Sequence, residues 1–168
     1  MSDTPHIVLR KLEPDDVDQL YIWENDSDAW SDSDRHNPLS HADLRNYILD
    51  TTGDIFRDGQ LRLVICLDAC KATPVGCIDL YDVDIRNRKA AVAIYVAPEF
   101  RHRGIATDAL RQLIAYVANT LCFRLLYAMV RDGNQHSLKL FKSVGFQQVA
   151  CLPLWVNEGN IFVLQTTL

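Results

Sequence analysis

The sequence predicts a mixed α/β fold, built as a single domain over residues 1–168. Two observations lead there. Segments of strand-like and helix-like period follow one another in the order β-α-α-β-β-β-α-β-α-β-β, with no repeat, low-complexity tract or linker between them. A chain of 168 residues with 48% hydrophobic and 23% charged side chains also has the size and balance of one globular core. Three consecutive central strands joined by short turns read as a meander. The sheet is therefore expected to be mostly antiparallel and twisted, with about four flanking helices.

The elements follow in order. "HIVLRKL", His6 to Leu12, alternates as a first strand. Pro14, Asp15 and Asp16 open a helix whose inner stripe is Val17, Leu20 and Tyr21. The polar stretch "SDAWSDSDRHNP" has neither period and reads as a long loop. Ser40 with Asp43 resembles a capping box for a second helix through Tyr47, Ile48 and Leu49. "QLRLVICLD", "PVGCIDLYDVD" and "RKAAVAIYVA" form the meander, with turns at "ACKAT" and "IRNR". From Ile105 the period changes: Ala106, Ala109, Leu110, Leu113, Ile114 and Val117 line one helical face. "FRLLYAMV" is a strand, and "DGNQHSLKLFKSVGF" is a helix with Asn134 at its start and Gly145 at its end. "FQQVACLPLWV" and "NIFVLQTTL" close the sheet around the turn "NEGN".

Composition excludes several roles. A net charge of −5 argues against a general nucleic-acid binder, which needs a broad basic surface. No stretch approaches a membrane span, and "MSDTPHIVLR" lacks the charged start and apolar run of an export signal, so the cytoplasm is the expected compartment. Five cysteines at irregular spacing match no zinc pattern; Cys66, Cys77 and Cys122 lie in or beside apolar runs and are expected to be buried, reduced thiols. No metal site is expected.

The most informative stretch is "APEFRHRGIATDAL", which gathers Arg101, His102 and Arg103 before Gly104 and a helix. A helix start offers free N–H groups and the positive end of its dipole to an anion. Gly104 lets the backbone approach a ligand, Ala106 keeps the first turn narrow and Thr107 adds a hydroxyl. The stretch is not a P-loop, which requires G-x-x-x-x-G-K-[ST], nor a Rossmann turn, which requires G-x-G-x-x-G in a parallel unit. Read locally, the alternatives are a polyphosphate grip and a solvated helix entrance.

"RHRGIA" matches the [QR]-x-x-G-x-[GA] signature of the GNAT acetyltransferases. The "LRKLEPDD" opening, the meander before the signature and the "N-x6-F-x3-GF" ending also fall in that family's order. The chain resembles the GNAT branch of spermidine and ribosomal-protein N-terminal acetyltransferases along nearly its whole length. The resemblance implies acetyl-coenzyme A as co-substrate, its pyrophosphate held by Arg101, His102, Arg103, Gly104, Ile105, Ala106 and Thr107. It implies that Ile94, Tyr95 and Val96 pair with the pantetheine arm, with the Val96 N–H as oxyanion donor. It further implies that Asn134 reaches the cofactor and that Phe141 packs against it. Many relatives use a tyrosine at the Phe141 position as general acid and a glutamate at the Ala91 position as base. Neither Phe141 nor Ala91 can move a proton.

Asp79 is the candidate base or amine anchor, matching an acidic site of the polyamine-acetylating relatives; otherwise it is an exposed strand carboxylate. Strand alternation places Asp79 and Tyr81 on one face and Asp82 on the other. Tyr95 and Tyr127 are further phenols that could donate protons. Near the first loop, Trp23, Glu24, Asp28 and Trp30, with Asp26, Asp32 and Asp34, combine carboxylates and aromatic faces suited to a cationic amine. The alternative is a solvated acidic loop with its tryptophans packed inward. The expected function is acetyl transfer to a primary amine, best a polyamine. A protein N-terminus, or an acyl-coenzyme A binding module without turnover, remains open, as does a homodimer.

Overall fold

The computed structural model describes residues 5–26, 37–67, 73–157 and 159–168. Seven strands form one sheet: β1 (Ile7–Lys11), β2 (Leu61–Leu67), β3 (Thr73–Asp84), β4 (Lys89–Val96), β5 (Leu125–Arg131), β6 (Gln147–Val156) and β7 (Gly159–Thr167). Their spatial order is β1-β2-β3-β4-β5-β7-β6. All neighbours are antiparallel except β4 and β5. The exception follows from connectivity, because a helix, and not a hairpin turn, links these two strands.

Among the described residues the helices are α1 (Val17–Glu24), α2 (His41–Asp50), α3 (Ile55–Asp58), α4 (Ile105–Asn119) and α5 (Gln135–Ser143). The capping box expected for α2 is present: Asp43 N–H donates to Ser40 Oγ at 3.1 Å and Ser40 N–H to Asp43 Oδ2 at 2.9 Å. The single turn α3 is an addition to the four expected helices. Its Asp54 cap and Gly59, at φ 69°, bound a segment too short to display a helical period.

The sheet has a core on each face. On one, Ile105, Ala109, Leu110, Leu113 and Val117 of α4 and Leu138 and Phe141 of α5 pack on Ile78, Leu80, Val92, Leu126 and Ala128. On the other, Val17, Leu20 and Trp23 of α1 and Leu44 and Ile48 of α2 cover Val64, Cys66 and Cys77. The inner stripe of α1 is thus completed by Trp23, while Tyr21 is 37% exposed, as the i, i+3, i+6 spacing from Val17 requires. Leu49 likewise faces outward.

Gly76 lets β3 lie close to β4, since a Cβ there would meet Tyr95 O at 2.1 Å. Arg10 ties β1 to the turn before α1 through paired 2.7 Å hydrogen bonds to Asp16. Cys66 and Cys77 are buried as expected, but Cys122 and Cys151 are exposed. Cys122 sits in the reversal after α4 at φ 55°, and Cys151 on the exposed strand β6. Cys70 lies outside the described residues. No helix of the described residues is long and apolar enough to cross a membrane.

Candidate active site

The sheet opens between β4 and β5. These strands pair over three rungs only, Lys89↔Leu125, Ala90↔Leu126 and Ala91↔Tyr127, yet β4 continues to Val96 and β5 to Arg131. Ala97 N–H donates to Val75 O at 2.9 Å, which makes the odd-numbered residues of β4 the ones bonded to β3. Beyond the last rung, Ile94 and Val96 therefore turn their backbone groups toward the opening. Tyr95 does not. Its backbone belongs to the β3 ladder, which corrects its expected pairing with a pantetheine arm. Its ring lies on the α1 face, 6.0 Å from Trp23, and its hydroxyl donates to Asp26 at 3.2 Å. Burial and the Asp26 carboxylate push this phenol up to about 12.

The signature stretch forms the outer end of the opening. Gly104 caps α4 at φ 79°, and His102 also takes a positive φ of 62°. A helix that begins at Ile105 has no intrahelical acceptor for the N–H groups of Ile105, Ala106 and Thr107. Both arginines are held beside them. Arg101 Nε donates to Val96 O at 2.8 Å with its guanidinium 5.8 Å from the Tyr95 ring centre, and Arg103 donates to Glu99 O at 2.9 Å over Phe100. These cations are positioned by the fold and are also exposed, so both local readings of the stretch stand. His136 of α5 meets His102 edge-on at 5.7 Å. Sequence reasoning missed His136, although its place two residues after Asn134 was a usable signal.

Asn134 caps α5, accepting from Ser137 N–H at 2.9 Å. Phe141 is 3% exposed and packs edge-on against Phe146 at 5.0 Å. This corrects its expected role against a cofactor: the apolar face of α5 that carries it is turned into the core.

The α1 side of the sheet holds a second constellation. A cleft of about 170 Å³ is lined by Tyr47, Gln60, Leu61, Arg62, Asp79, Leu80 and Tyr81. Arg62 Nε and Nη2 donate to the two oxygens of Asp79 at 2.7 and 2.8 Å, Nη1 donates to Glu24, and the guanidinium lies 5.7 Å from the Tyr47 ring centre. Burial lowers the Arg62 affinity for its proton, but Asp79 and Glu24 reverse this and hold it well above its ordinary value. Burial raises the Tyr47 phenol in spite of Arg62. Asp79 is thus a carboxylate held at both oxygens by Arg62, and its candidacy as base or amine anchor stands as a proposal. Arg62 and Tyr47 were missed. Arg62 stands directly opposite Asp79 in the β2–β3 register, and only that register reveals the pair.

Glu24 is brought to the cleft by the end of α1. Trp23, in contrast, is 5% exposed in the second core and offers no open aromatic face, a correction to its expected substrate role. Asp28, Trp30, Asp32 and Asp34 lie outside the described residues. One further rung joins the two regions: Tyr81 of β3, Ala91 of β4 and Tyr127 of β5 are neighbours across the sheet. The β3–β4 register shifts between Tyr81 and Asp84, with Asp82 at φ 49°. Asp82 consequently departs from simple alternation and accepts a hydrogen bond from the Tyr127 hydroxyl.

The sequence model of the acetyltransferase (GNAT) domain matches residues 6–147. The chain belongs to the GNAT acetyltransferase family. A Bacillus subtilis (strain 168) relative, YdaF, named for ribosomal N-acetylation, is 29% identical over 159 residues, covering 84% of this chain and 78% of YdaF. The spermidine N(1)-acetyltransferase of Escherichia coli (strain K12) is 24% identical over 149 residues, covering 87% of this chain and 75% of that protein. The fold also matches the crystal structure of spermidine N-acetyltransferase from Vibrio cholerae in complex with CoA and spermine, with a TM-score of 0.85, 19% identity and coverage of 96% and 95% of the two chains. This GNAT acetyltransferase is accordingly an acetyl-coenzyme A-dependent N-acetyltransferase. Among its described residues no cluster of histidine, cysteine, aspartate or glutamate could hold a metal ion.

Proposed function

We propose that the enzyme acetylates a small cationic primary amine, foremost a polyamine. The observation that carries this reading is the open β4 edge, which runs from the start of α4 to a rung beside the cleft of Arg62 and Asp79, with Glu24 bonded to Arg62. The donor set fits acetyl-coenzyme A. The N–H groups of Gly104 to Thr107, with Arg101, Arg103 and His102, suit a pyrophosphate; His136 meets His102 from α5, where Asn134 is the proposed further contact. Ile94 and Val96 offer strand-edge hydrogen bonds to a pantetheine arm. Bound there, the co-substrate supplies an activated acetyl group. Val96 N–H is the outer donor toward the thioester oxygen and Ile94 N–H the inner one, about 7 Å deeper along the strand.

On the acceptor side, two carboxylates share one guanidinium in the cleft, and the whole chain carries −5. Asp79 and Glu24 therefore act as anchors for an ammonium, and Tyr47 and Tyr81 provide aromatic walls. The similarity to spermidine N-acetyltransferases supports the same acceptor class. The similarity to YdaF supports the second reading, a protein N-terminus.

An acetyl-coenzyme A turnover screen against spermidine, spermine, aminoglycosides and N-terminal peptides decides between them. Polyamine turnover above that of the peptides is expected. Preference for peptides would select the second reading, and cofactor binding with no turnover would select a binding module. Self-association is proposed through the edge strand β6, where Leu154 and Trp155 are 83% and 63% exposed; sedimentation checks it. The cytoplasm is the proposed compartment, where the exposed thiols of Cys122 and Cys151 stay reduced.

A further inference from the structure

The positions where many relatives carry a base and an acid are filled by Ala91, 0% exposed, and Phe141, 3% exposed. The proton released when an amine is acetylated still has to leave the site. The rung that contains Ala91 supplies another route. Tyr127 is its neighbour on β5, at the last closed rung before the strands part, and Tyr81 flanks it on β3. The small Ala91 side chain stands between two phenols. The bulge after Tyr81 then turns Asp82 back so that its Oδ2 accepts the Tyr127 hydroxyl proton. Tyr127 is half-buried and Asp82 is exposed, so the pair leads from the base of the opening to solvent.

We propose that Tyr127 and Asp82 form the proton relay of the acetyl transfer, replacing the carboxylate absent at Ala91. The inference rests on the acetyltransfer reading above. In the transfer, the acceptor nitrogen, already deprotonated to the free amine, bonds the acetyl carbon, the carbon–sulfur bond breaks and its electron pair leaves with the thiolate. The nitrogen gives its proton through water to Tyr127 Oη, while the phenol passes its own proton to Asp82 Oδ2. Asp82 returns that proton to water. Tyrosine ends neutral, as it began, and one proton has moved from nitrogen to solvent. Burial, the hydrogen bond to Asp82 and the Asp82 charge, with smaller contributions from Tyr81 and Asp84, raise the Tyr127 phenol. A phenol raised in this way does not serve as a free phenolate base, which favours a concerted exchange over a stored charge.

The test uses the full chain with acetyl-coenzyme A and spermidine. Tyr127→Phe and Asp82→Asn should each lower kcat by about 10- to 100-fold, with the acetyl-coenzyme A KM within about twofold of wild type. The double variant should lose little more than either single one, as expected of two groups acting in series. Asp82→Glu should recover part of the rate. Independently of turnover, ultraviolet titration should show Tyr127 ionising at lower pH in Asp82→Asn, because the opposing charge is gone. A spacer role for the pair would leave kcat intact when the Tyr127 ring is kept and Asp82 is neutralised. Folded variants with unaltered kcat would overturn the relay alone. Absence of turnover in the wild-type protein with every amine would overturn the relay together with the functional reading.

Discussion

The two halves of the proposed site are made of different material. The cofactor half, from Ile94 to Thr107, presents mainly backbone: strand-edge N–H groups and a helix start, with arginines tethered to carbonyls at Val96 and Glu99. The acceptor half presents side chains from α1, α2, β2 and β3, held together by Arg62. Backbone donors survive most substitutions nearby, because every residue but proline carries one. A side-chain network fails when its central member is removed. The cofactor half should therefore lose binding without losing the fold, and the acceptor half should lose both.

The largest expected effect is on Arg62. Its side chain is 19% exposed and is shared by carboxylates at 12% and 20% exposure. Arg62→Ala removes the guanidinium that joins Glu24 to Asp79, and should cost about 4 kcal/mol of stability. Urea unfolding measures it. A loss below about 1 kcal/mol would place the network in the class of surface pairs and break the contrast.

Next comes Gly104→Val. At φ 79° a β-branched residue is strained, and its side chain would stand where a phosphate approaches. Affinity for coenzyme A should fall about 100-fold, near 3 kcal/mol, while the strained backbone costs the fold about 1–2 kcal/mol in urea unfolding. Isothermal titration with unchanged affinity would remove the α4 start from the cofactor site.

Acid should loosen the tie between β1 and the turn before α1, which lies outside both halves. Burial opposes ionisation of Asp16, but hydrogen bonds from Arg10 and from Glu13 N–H outweigh it and hold the carboxyl below its ordinary range. A depressed folded value means that this contribution is complete above about pH 4 and lost as the pH falls through the folded pKa. Asp16→Asn should cost about 2 kcal/mol at neutral pH and flatten the acid limb of stability against pH. A parallel acid limb in the variant would assign the effect to other carboxylates.

The smallest effect is expected for Arg101→Ala. The exposed guanidinium adds to a site already made by N–H groups, so coenzyme A affinity should fall about fivefold, near 1 kcal/mol, and the loss should shrink in high salt. A loss as large as that of Gly104→Val would make the cofactor half a side-chain site too.

The order of strands and long helices, the α2 capping box, the Asn134 cap, the buried face of α4 and its start after Gly104 were legible in the sequence. Each depends on residues within a few positions of one another, where period, capping and glycine conformation act directly. The resemblance to GNAT acetyltransferases is legible for the same reason, since "RHRGIA" is contiguous. What the tertiary structure decided is where distant segments meet. Arg62 and Asp79 are 17 positions apart, Glu24 and Arg62 are 38, and Tyr127 and Asp82 are 45. No local period encodes the β2–β3 register, the bulge that redirects Asp82, or the three-rung limit of the β4–β5 pairing. Those depend on how whole faces pack, and a shift of one residue in register would send every side chain of a strand to the other side of the sheet.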